Sequence, residues 1–491
     1  MKLSRIELEN FRSFGNLSVT FDERLTVLVA PNGQGKTAVL DAIRIALWPY
    51  VGAFDVVSGT LTGSGIAIDD VMMRPTGKPL PFNMERQLPC RISAAAVVAE
   101  QQVEWSLSRW LVTPRSRTSL KEAAPLANLG RAYQTHIRIP TDARAENDPP
   151  ELNLPTIGYY GTGRLLKRRK LTLQREGKNG EFSRSYAYVG SLDPAADYES
   201  FLEWFFFNFA ADFEQRTSAV ESASRRLGPV PLHVYPSTPQ GRSRVKEMAA
   251  SQTPYGEILS AIANAVDQVM SGSGWTGLRY SPSNRTLVMS HPEFGVLKVD
   301  QLSDGQRNLI AMAGDIAYRC VRLNPHLAAE APRQTDGIVL IDEIDMHLHP
   351  QWQQVVVGNF QQAFPRIQFI LTTHSPQVIS TVPVESIRIL GQNLDQPVIP
   401  SEETRGIASS SVLSSIFGTD PIPNVPEADW LSRYLAQIQQ GIHNSPDGLE
   451  LREKLIQHFG KNHPVIRDAD RMIRLEEFKR RLPLPATLSE G

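Results

Sequence analysis

The stretch APNGQGKT, residues 30–37, decides the fold class of this 491-residue chain. It matches the pattern GxxxxGK[ST], except that Ala30 stands in place of the first glycine. The apolar run 25–30 before it predicts a strand buried on both faces, and the apolar residues within 39–47 recur at helical spacing. A buried strand, a glycine loop and a helix in this order predict a P-loop, the phosphate-binding turn of an α/β nucleotide-binding protein.

The residue types in this loop indicate how it would bind a nucleotide. Gly33 and Gly35 allow backbone N–H groups to curl around phosphate oxygens, and the start of the helix adds a partial positive charge. Lys36 is expected to reach the β- and γ-phosphates, and Thr37 to ligate Mg²⁺. The residues predicted to bind the nucleotide are Asn32, Gly33, Gln34, Gly35, Lys36 and Thr37.

Further along the chain, GIVLIDE at residues 337–343 is an apolar strand that ends in two carboxylates. The carboxyl ends of parallel strands are where α/β proteins bind their ligands. We expect Asp342 to hold Mg²⁺ through water and Glu343 to orient or deprotonate the attacking water. An acidic pair after a strand is common by itself, so this prediction of a Walker B motif depends on the P-loop upstream.

Between these two motifs, LSDGQ at residues 302–306 opens a predicted helix. Ser303 is a suitable N-cap, so a plain capped helix is one interpretation. A lone His374, in LTTHSP, follows the next strand after the acidic pair. The order P-loop, LSDGQ, acidic pair and histidine resembles that of ABC-type ATPase heads, whose signature LSGGQ differs here only by Asp304.

This resemblance implies a catalytic site shared between two chains. Ser303, Gly305 and Gln306 of one chain would contact the γ-phosphate that the other chain's P-loop binds. The competent state would then be a homodimer that encloses two ATP molecules with Mg²⁺. Asp345 would lie on the loop that crosses the dimer interface.

The same resemblance implies the roles of two residues outside the three motifs. His374 would contact the γ-phosphate and act in catalysis together with Glu343. The segment NFRSF, residues 10–14, is similar to the corresponding segment of SMC and RecF heads, in which the arginine, here Arg12, contacts the nucleotide phosphates.

Composition bounds the class of protein. Lys and Arg number 51 against 52 Asp and Glu, so the net charge of −1 gives no global argument for binding nucleic acid or a membrane. The two cysteines, Cys90 and Cys320, suit a reducing compartment. The amino terminus has no apolar signal segment, and the apolar run 201–209 is far shorter than the roughly 20 residues that cross a bilayer. We expect a cytoplasmic protein that does not enter the membrane.

The predicted fold is α/β: an ABC/SMC-type P-loop NTPase head with a mixed sheet, flanking helices and a compact insertion, followed by a C-terminal helical region. No heptad pattern separates the P-loop from LSDGQ, which excludes a long coiled coil. The predicted parts are an N-terminal ATPase lobe with the P-loop at 1–135, an insertion at 136–295, a C-terminal ATPase lobe at 296–400, and a helical tail at 401–491 that is a candidate docking region.

Two patterns allow more than one interpretation. ABC-type heads need a glutamine loop, for which either Gln101 with Gln102 or the segment YYGTGR at 159–164 is a candidate. The basic run 164–178 would suit a nucleic-acid backbone, but a solvated loop is favoured because no aromatic residues are interleaved with its charges.

A third pattern is the pair His347 and His349 in HLHP. On a strand these two imidazoles would share a face and invite a metal ion. A third ligand at compatible spacing is not visible in the sequence, which argues against a metal site.

Taken together, IELENFRSF, APNGQGKT, YYGTGR, DPAADYESFLEWF, LSDGQR and DEIDMHLHPQWQ resemble the PtuA ATPases of Septu anti-phage systems, including retron-linked versions. The resemblance covers most of residues 1–392. It implies an ATPase that controls a separate HNH nuclease of the PtuB type and, in retron versions, accompanies a reverse transcriptase and its multicopy single-stranded DNA (msDNA). A RecF-like repair ATPase that clamps DNA, or a standalone ATPase with a nuclease site of its own, remain alternatives.

Overall fold

A computed structural model describes most of the chain, namely residues 1–58, 65–76, 83–113, 116–139, 151–163, 183–194, 198–227, 253–391 and 394–481. The chain forms two compact units, Met1–Val412 and Leu413–Gly491. The finer division into four parts stays a prediction.

The described strands are, in chain order, β1 (Lys2–Phe11), β2 (Phe14–Thr20), β3 (Leu25–Val29), β4 (Met73–Pro75), β5 (Met84–Arg86), β6 (Cys90–Val98), β7 (Gln101–Arg109), β8 (Thr156–Tyr160), β9 (Thr276–Ser281), β10 (Thr286–His291), β11 (Gly295–Lys298), β12 (Gly337–Ile341), β13 (Ile367–Thr372) and β14 (Ile387–Ile389).

The described α-helices are α1 (Lys36–Val51), α2 (Asp55–Ser58), α3 (Ala124–Ile137), α4 (Glu199–Leu227), α5 (Pro254–Val269), α6 (Asp304–Leu323), α7 (Ala331–Gln334), α8 (Pro350–Gln353), α9 (Val356–Ala363), α10 (Pro376–Ile379), α11 (Ser409–Ser415), α12 (Pro426–Gln440), α13 (Pro446–Phe459) and α14 (Pro464–Arg481).

The first unit is built on a five-stranded sheet with the order β14-β3-β13-β12-β8, in which every pairing is parallel. All residues of β3, β8, β12 and β13 are buried. Strands that are apolar along their whole length need cover on both faces, which parallel sheets receive from their connecting helices. The predicted buried strands at 25–30, 338–341, 367–371 and 387–390 are therefore confirmed, within a residue or two.

A second, antiparallel sheet has the order β2-β1-β6-β7. Along β1 buried residues alternate with more exposed ones, because Ile6 and Leu8 face the core while Arg5 and Glu7 face outward. The alternation is that of a sheet with one face in solvent. The α/β class is thus confirmed, but the parallel and antiparallel strands lie in separate sheets instead of one mixed sheet. Two smaller antiparallel sheets have the orders β11-β10-β9 and β4-β5.

A buried glutamine joins the two sheets. Gln368 in β13 is fully buried, and its side-chain amide exchanges two hydrogen bonds with the backbone of Leu3 in β1, at 2.7 and 2.8 Å. The same amide nitrogen donates to the carbonyl of Asp22 at 2.7 Å. A polar side chain inside an apolar strand is stable there because backbone groups satisfy both of its polar atoms.

The second unit is a bundle of α12, α13 and α14, as the apolar stripes of the tail predict. Its buried core consists of Tyr434, Ile438, Leu451, Leu455, Ile466 and Ala469. Arg452 links all three helices, because it donates to the Tyr434 hydroxyl at 2.9 Å and to Asp470 at 2.7 Å. Among the described residues, no helix combines the length and the apolar character needed to cross a membrane.

A glycine at the start of β12 offers a test of the sheet packing. A Cβ atom at Gly337 would overlap the backbone carbonyl of Thr156 in β8, whereas one at the exposed Gly358 in α9 would meet nothing within 4 Å. We expect Gly337→Ala to lower the free energy of unfolding by about 1–3 kcal/mol. Gly358→Ala should leave it unchanged or raise it by about 0.5–1 kcal/mol, because alanine favours helix. Urea unfolding of the full chain measures both, and equal midpoints for the two variants would contradict this packing.

Candidate functional site

Three of the predicted motifs meet at one edge of the parallel sheet. The P-loop follows β3, the acidic pair follows β12, and His374 follows β13, the strand that lies between those two. Because all three strands run parallel, their carboxyl ends lie side by side. Residues more than 300 positions apart in the sequence are therefore neighbours at this edge.

The P-loop has the backbone that phosphate binding requires. Gly33 and Gly35 have φ values of 77° and 88°, in the left-handed region that favours glycine. A Cβ at Gly35 would also overlap the ring of Phe14. Ala30, in place of the first glycine, is fully buried in the apolar core. The methyl group that departs from the pattern therefore faces the protein interior.

Lys36 lies at the first position of α1 and is mostly buried. Its Nζ donates to the carbonyl of Ala30 at 2.9 Å, so its side chain folds back along the loop. Burial lowers the pKa of Lys36, while Asp342, Glu343 and Asp345 act in the opposite direction. The ammonium group thus lies among the carboxylates that follow β12.

Asp342 is held from two sides. Its Oδ2 accepts a hydrogen bond from Thr37 Oγ1 at 2.9 Å, and its Oδ1 accepts one from Thr372 Oγ1 at 2.6 Å. Thr372 also accepts from the backbone N–H of Glu343 at 2.8 Å. Three neighbouring strand ends are therefore joined through one buried carboxylate.

The Thr37 and Asp342 pair suits Mg²⁺. Both contribute oxygen atoms, which this hard cation prefers, and few protein ligands are typical where phosphates and water complete the coordination. Thr37 and Asp342 would hold the ion, which neutralises phosphate charge when bound. The carboxylate of Glu343 lies next to them, since this residue follows Asp342 directly, with an unusual positive φ of 50°.

The family described as "AAA domain" matches residues 5–109, and the family described as "AAA domain, putative AbiEii toxin, Type IV TA system" matches residues 181–380. The chain is 26% identical to the retron Ec83 probable ATPase of Escherichia coli, over 95% of this chain and 85% of that protein. It is 36% identical to the Septu protein PtuA of Bacillus mycoides (strain KBAB4), over 26% of this chain and 18% of that protein.

The chain is an ATPase, similar to the ATPases of retron and Septu systems. A crystal structure of an SMC head bound to the C-winged helix domain of ScpA aligns with 81% of it and 96% of that head, at 14% identity and a TM-score of 0.41. The predicted enzyme class, an ATPase, is confirmed by the families and the retron relative. These relatives support an ATPase of the retron and Septu defence systems.

In this ATPase, His374 is half-buried at the same edge as the P-loop. Burial lowers its pKa, and so does the positive charge of Lys36, against the opposing effect of Asp345 and the acidic pair. The imidazole is therefore neutral at physiological pH and has one nitrogen that donates and one that accepts a hydrogen bond.

Arg12 lies beside the P-loop helix. Its Nη1 donates to Asp41 of α1 at 2.7 Å, and its Nε donates to Asp70 at 2.8 Å. Tyr159 hydrogen-bonds to Asp41 as well. The predicted contact of Arg12 with the nucleotide phosphates stays a prediction, and Asp41 and Asp70 are the partners that the sequence did not reveal.

The LSDGQ segment starts α6 as a capping box. The Ser303 hydroxyl accepts from the N–H of Gln306 at 3.4 Å, and the Gln306 side chain accepts from the N–H of Ser303 at 3.2 Å. Ser303 is exposed, whereas Gly305 is buried so closely against the His347 carbonyl that a Cβ would overlap it. In the described part of the chain, no hydrogen bond connects Ser303, Gly305 or Gln306 with the P-loop.

The geometry separates the two candidates for a glutamine loop. Gln101 and Gln102 are exposed at the start of β7 in the antiparallel sheet, and Gln102 bonds to Glu104. In contrast, β8 ends with Tyr160, whose carbonyl accepts from the N–H of Asp342 at 2.9 Å. The segment 159–163 thus lies at the site, while Arg164 and the rest of the basic run 164–178 lie outside the described residues.

His347 and His349 do not lie on a strand. Residues 342–349 form turns after β12, with His347 at a φ of 62°, and His349 caps α8 by accepting from the N–H of Gln351. The imidazoles therefore do not share a strand face. The described residues contain no group of three or more His, Cys, Asp or Glu that could hold a metal ion.

The protonation of His374 provides a test of the site. In the nucleotide-free protein we expect it to titrate below 6.5, because burial and Lys36 both disfavour the charged imidazolium. Lys36→Met removes a positive charge but leaves the carboxylates, so the pKa of His374 should rise. Proton NMR follows the titration, with the spectrum of His374→Gln assigning the signal. A wild-type midpoint above 6.5, or one insensitive to Lys36→Met, would contradict the described surroundings of His374.

Proposed function

We propose that this ATPase works as a head-to-head homodimer that encloses two ATP molecules, and that ATP-dependent closure controls a separate nuclease subunit. The observation that carries the dimer is the position of LSDGQ. Ser303 is exposed at the start of a 20-residue helix, and its segment has no hydrogen bond to the P-loop of the same chain among the described residues.

One chain supplies one half of a hydrolysis site. The P-loop with Lys36 would hold the triphosphate, and Thr37 with Asp342 would hold Mg²⁺. Glu343 would accept a proton from the attacking water, while neutral His374 would hydrogen-bond to the γ-phosphate. The opposite side of the γ-phosphate would remain open to solvent.

The start of α6 fits that open side. The first N–H groups of a helix have no partner within the helix and carry partial positive charge, so they attract anions. Ser303 and Gly305 would thus contact the γ-phosphate bound by a partner chain, and the same contact would occur twice by symmetry. The resemblance to ABC-type heads supports this arrangement.

Glu343→Gln is the variant that tests the dimer. It keeps the Mg²⁺ ligands and the P-loop but removes the base, so we expect ATP to trap a dimer and hydrolysis to fall by at least about 100-fold. Size-exclusion chromatography with light scattering measures the mass with and without ATP. In the matched control, Lys36→Ala on the Glu343→Gln background should leave the protein monomeric, because nucleotide binding is lost. Rapid turnover by a strictly monomeric Glu343→Gln protein would refute both the base and the dimer.

The nuclease partner is proposed from the relatives. Resemblance to Septu PtuA implies a separately encoded HNH protein of the PtuB type, and resemblance to the retron-linked versions implies a reverse transcriptase with its msDNA as further partners. Contact with nucleic acid would then occur within the complex. The second unit is the candidate docking region, because Leu475 and Phe478, one turn apart on α14, are 52% and 59% exposed.

Co-purification from the native operon tests this part. We expect an HNH protein to be retained by the tagged ATPase in the presence of ATP, which mass spectrometry identifies. Extraction of nucleic acid from the same sample would reveal msDNA if the system is a retron. Recovery of the ATPase alone on duplex DNA would instead favour a RecF-like repair ATPase that clamps DNA.

A further inference from the structure

A buried polar cluster connects β8 with α6. The Tyr160 hydroxyl donates to Asp315 Oδ2 at 2.7 Å, and Arg319 Nε donates to the same oxygen at 2.7 Å. Arg319 also donates to the backbone carbonyl of Ala187. All three side chains are more than nine-tenths buried. We define Tyr160, Asp315 and Arg319 as the buried triad.

The presence of a buried ion pair in this cluster is not explained by its contribution to the stability of the fold. Transfer of an Arg and an Asp from water into the interior carries a large desolvation cost, so a buried ion pair stabilises a fold little compared with apolar residues of similar size. A buried and fully hydrogen-bonded network does, however, fix the relative position of the elements that it joins. The elements joined here are α6, which starts at LSDGQ, and β8, which pairs with the strand that the acidic pair follows.

One backbone hydrogen bond connects the buried triad with Asp342 at the edge of the parallel sheet. Tyr160 ends β8, and its carbonyl accepts from the N–H of Asp342 at 2.9 Å. Asp315 and Arg319 lie on α6, the helix that Ser303 caps. A continuous path therefore runs from Asp342, through the backbone and hydroxyl of Tyr160, to Asp315 in the fourth turn of the helix that starts with LSDGQ.

A second contact fixes the first turn of the same helix. Gly305 packs against the carbonyl of His347, in the turns that follow Glu343, with no room for a Cβ. Positions 305, 308, 312, 315 and 319 have the 3–4 spacing of one helix face. One face of α6 thus contacts the turns after Glu343 at its first turn, and β8 further along the helix.

We propose that Tyr160 is a positioning residue for ATP hydrolysis, whose hydroxyl holds α6 in register with the strand ends that carry Asp342 and Glu343. Through this bond each chain presents Ser303 and Gly305 to its partner at a fixed distance from its own acidic pair. The proposal rests on the dimer proposed above. Burial and the neighbouring Asp315 raise the pKa of Tyr160, so its hydroxyl keeps the proton that it donates.

Tyr160→Phe isolates this bond. Phenylalanine keeps the ring, which stacks against Tyr198 with centroids 6.5 Å apart, and leaves the Asp315–Arg319 pair intact. We expect kcat to fall by about 10-fold or more, because small displacements of catalytic groups cost that much. KM and the affinity for ATP should stay within about two-fold, since uniform binding of ATP does not involve the Tyr160 hydroxyl.

Tyr50→Phe is the matched control. The Tyr50 hydroxyl is also fully buried and hydrogen-bonds to Tyr188 at 3.3 Å, but it lies near the far end of α1, roughly 20 Å along the helix from Lys36. Both variants lose one buried hydroxyl, so their thermal midpoints should fall by similar amounts. Only Tyr160→Phe should lower kcat and weaken the ATP-trapped dimer in the Glu343→Gln background.

The outcomes separate the two proposals. If Tyr160→Phe retains the kcat and dimerisation of Tyr50→Phe, or if it loses ATP affinity instead of kcat, the positioning proposal is wrong while the dimer stands. If Glu343→Gln itself stays monomeric with ATP, the dimer fails, and the positioning proposal that depends on it fails too. For Tyr160→Phe we expect a lower kcat, an intact affinity for ATP and a weaker ATP-trapped dimer. Its thermal midpoint should fall by about as much as that of Tyr50→Phe.

Discussion

The carboxylate of Asp342 is the constraint on which the site depends. It accepts hydrogen bonds from Thr37 after β3 and from Thr372 at the end of β13. The backbone N–H of Asp342 donates to the carbonyl of Tyr160 at the end of β8. A buried carboxylate needs such partners, because an unsatisfied charge in the interior costs several kcal/mol or shifts its pKa. The two bonds to the carboxylate align the ends of β3, β12 and β13, and the backbone bond adds β8. The P-loop, the acidic pair and the segment at 159–163 are therefore held at one edge.

Much of this arrangement follows from sequence. The strand, loop and helix around residues 25–51 could be predicted from the local sequence. Glycine occurs where the backbone needs a positive φ, and a fully buried strand is a continuous apolar run. The partners of Asp342 could not be predicted in the same way. Thr372 is one of two threonines in LTTH, and nothing local distinguishes the one that faces Asp342 from Thr373, which bonds to Asp345 at 2.5 Å.

Long-range polar contacts are the part that sequence patterns miss. Gln368 bonds to a backbone 365 residues away, and Tyr160 bonds to Asp315 across 155 residues. Each is a polar residue within an apolar stretch, which signals only that some partner must exist. The surroundings of His347 and His349 likewise depend on the fold, because the positive φ values of Glu343 and His347 turn the chain there. That turn brings the His347 carbonyl against Gly305, a contact that only the fold creates.

The capping box at Ser303 satisfies the start of α6 within a single chain, although Ser303 itself is exposed. The bond from Gln306 N–H to Ser303 Oγ is 3.4 Å long, which is longer than a usual N–H···O bond and therefore weak. In the described structure this hydroxyl accepts a hydrogen bond but does not donate one, and a phosphate oxygen is the kind of acceptor that would use its proton. The helix start is thus satisfied well enough to be stable in one chain, yet it retains donors that an anion would bind more strongly. In the proposed dimer, a cap of this kind would favour closure only when a triphosphate is present.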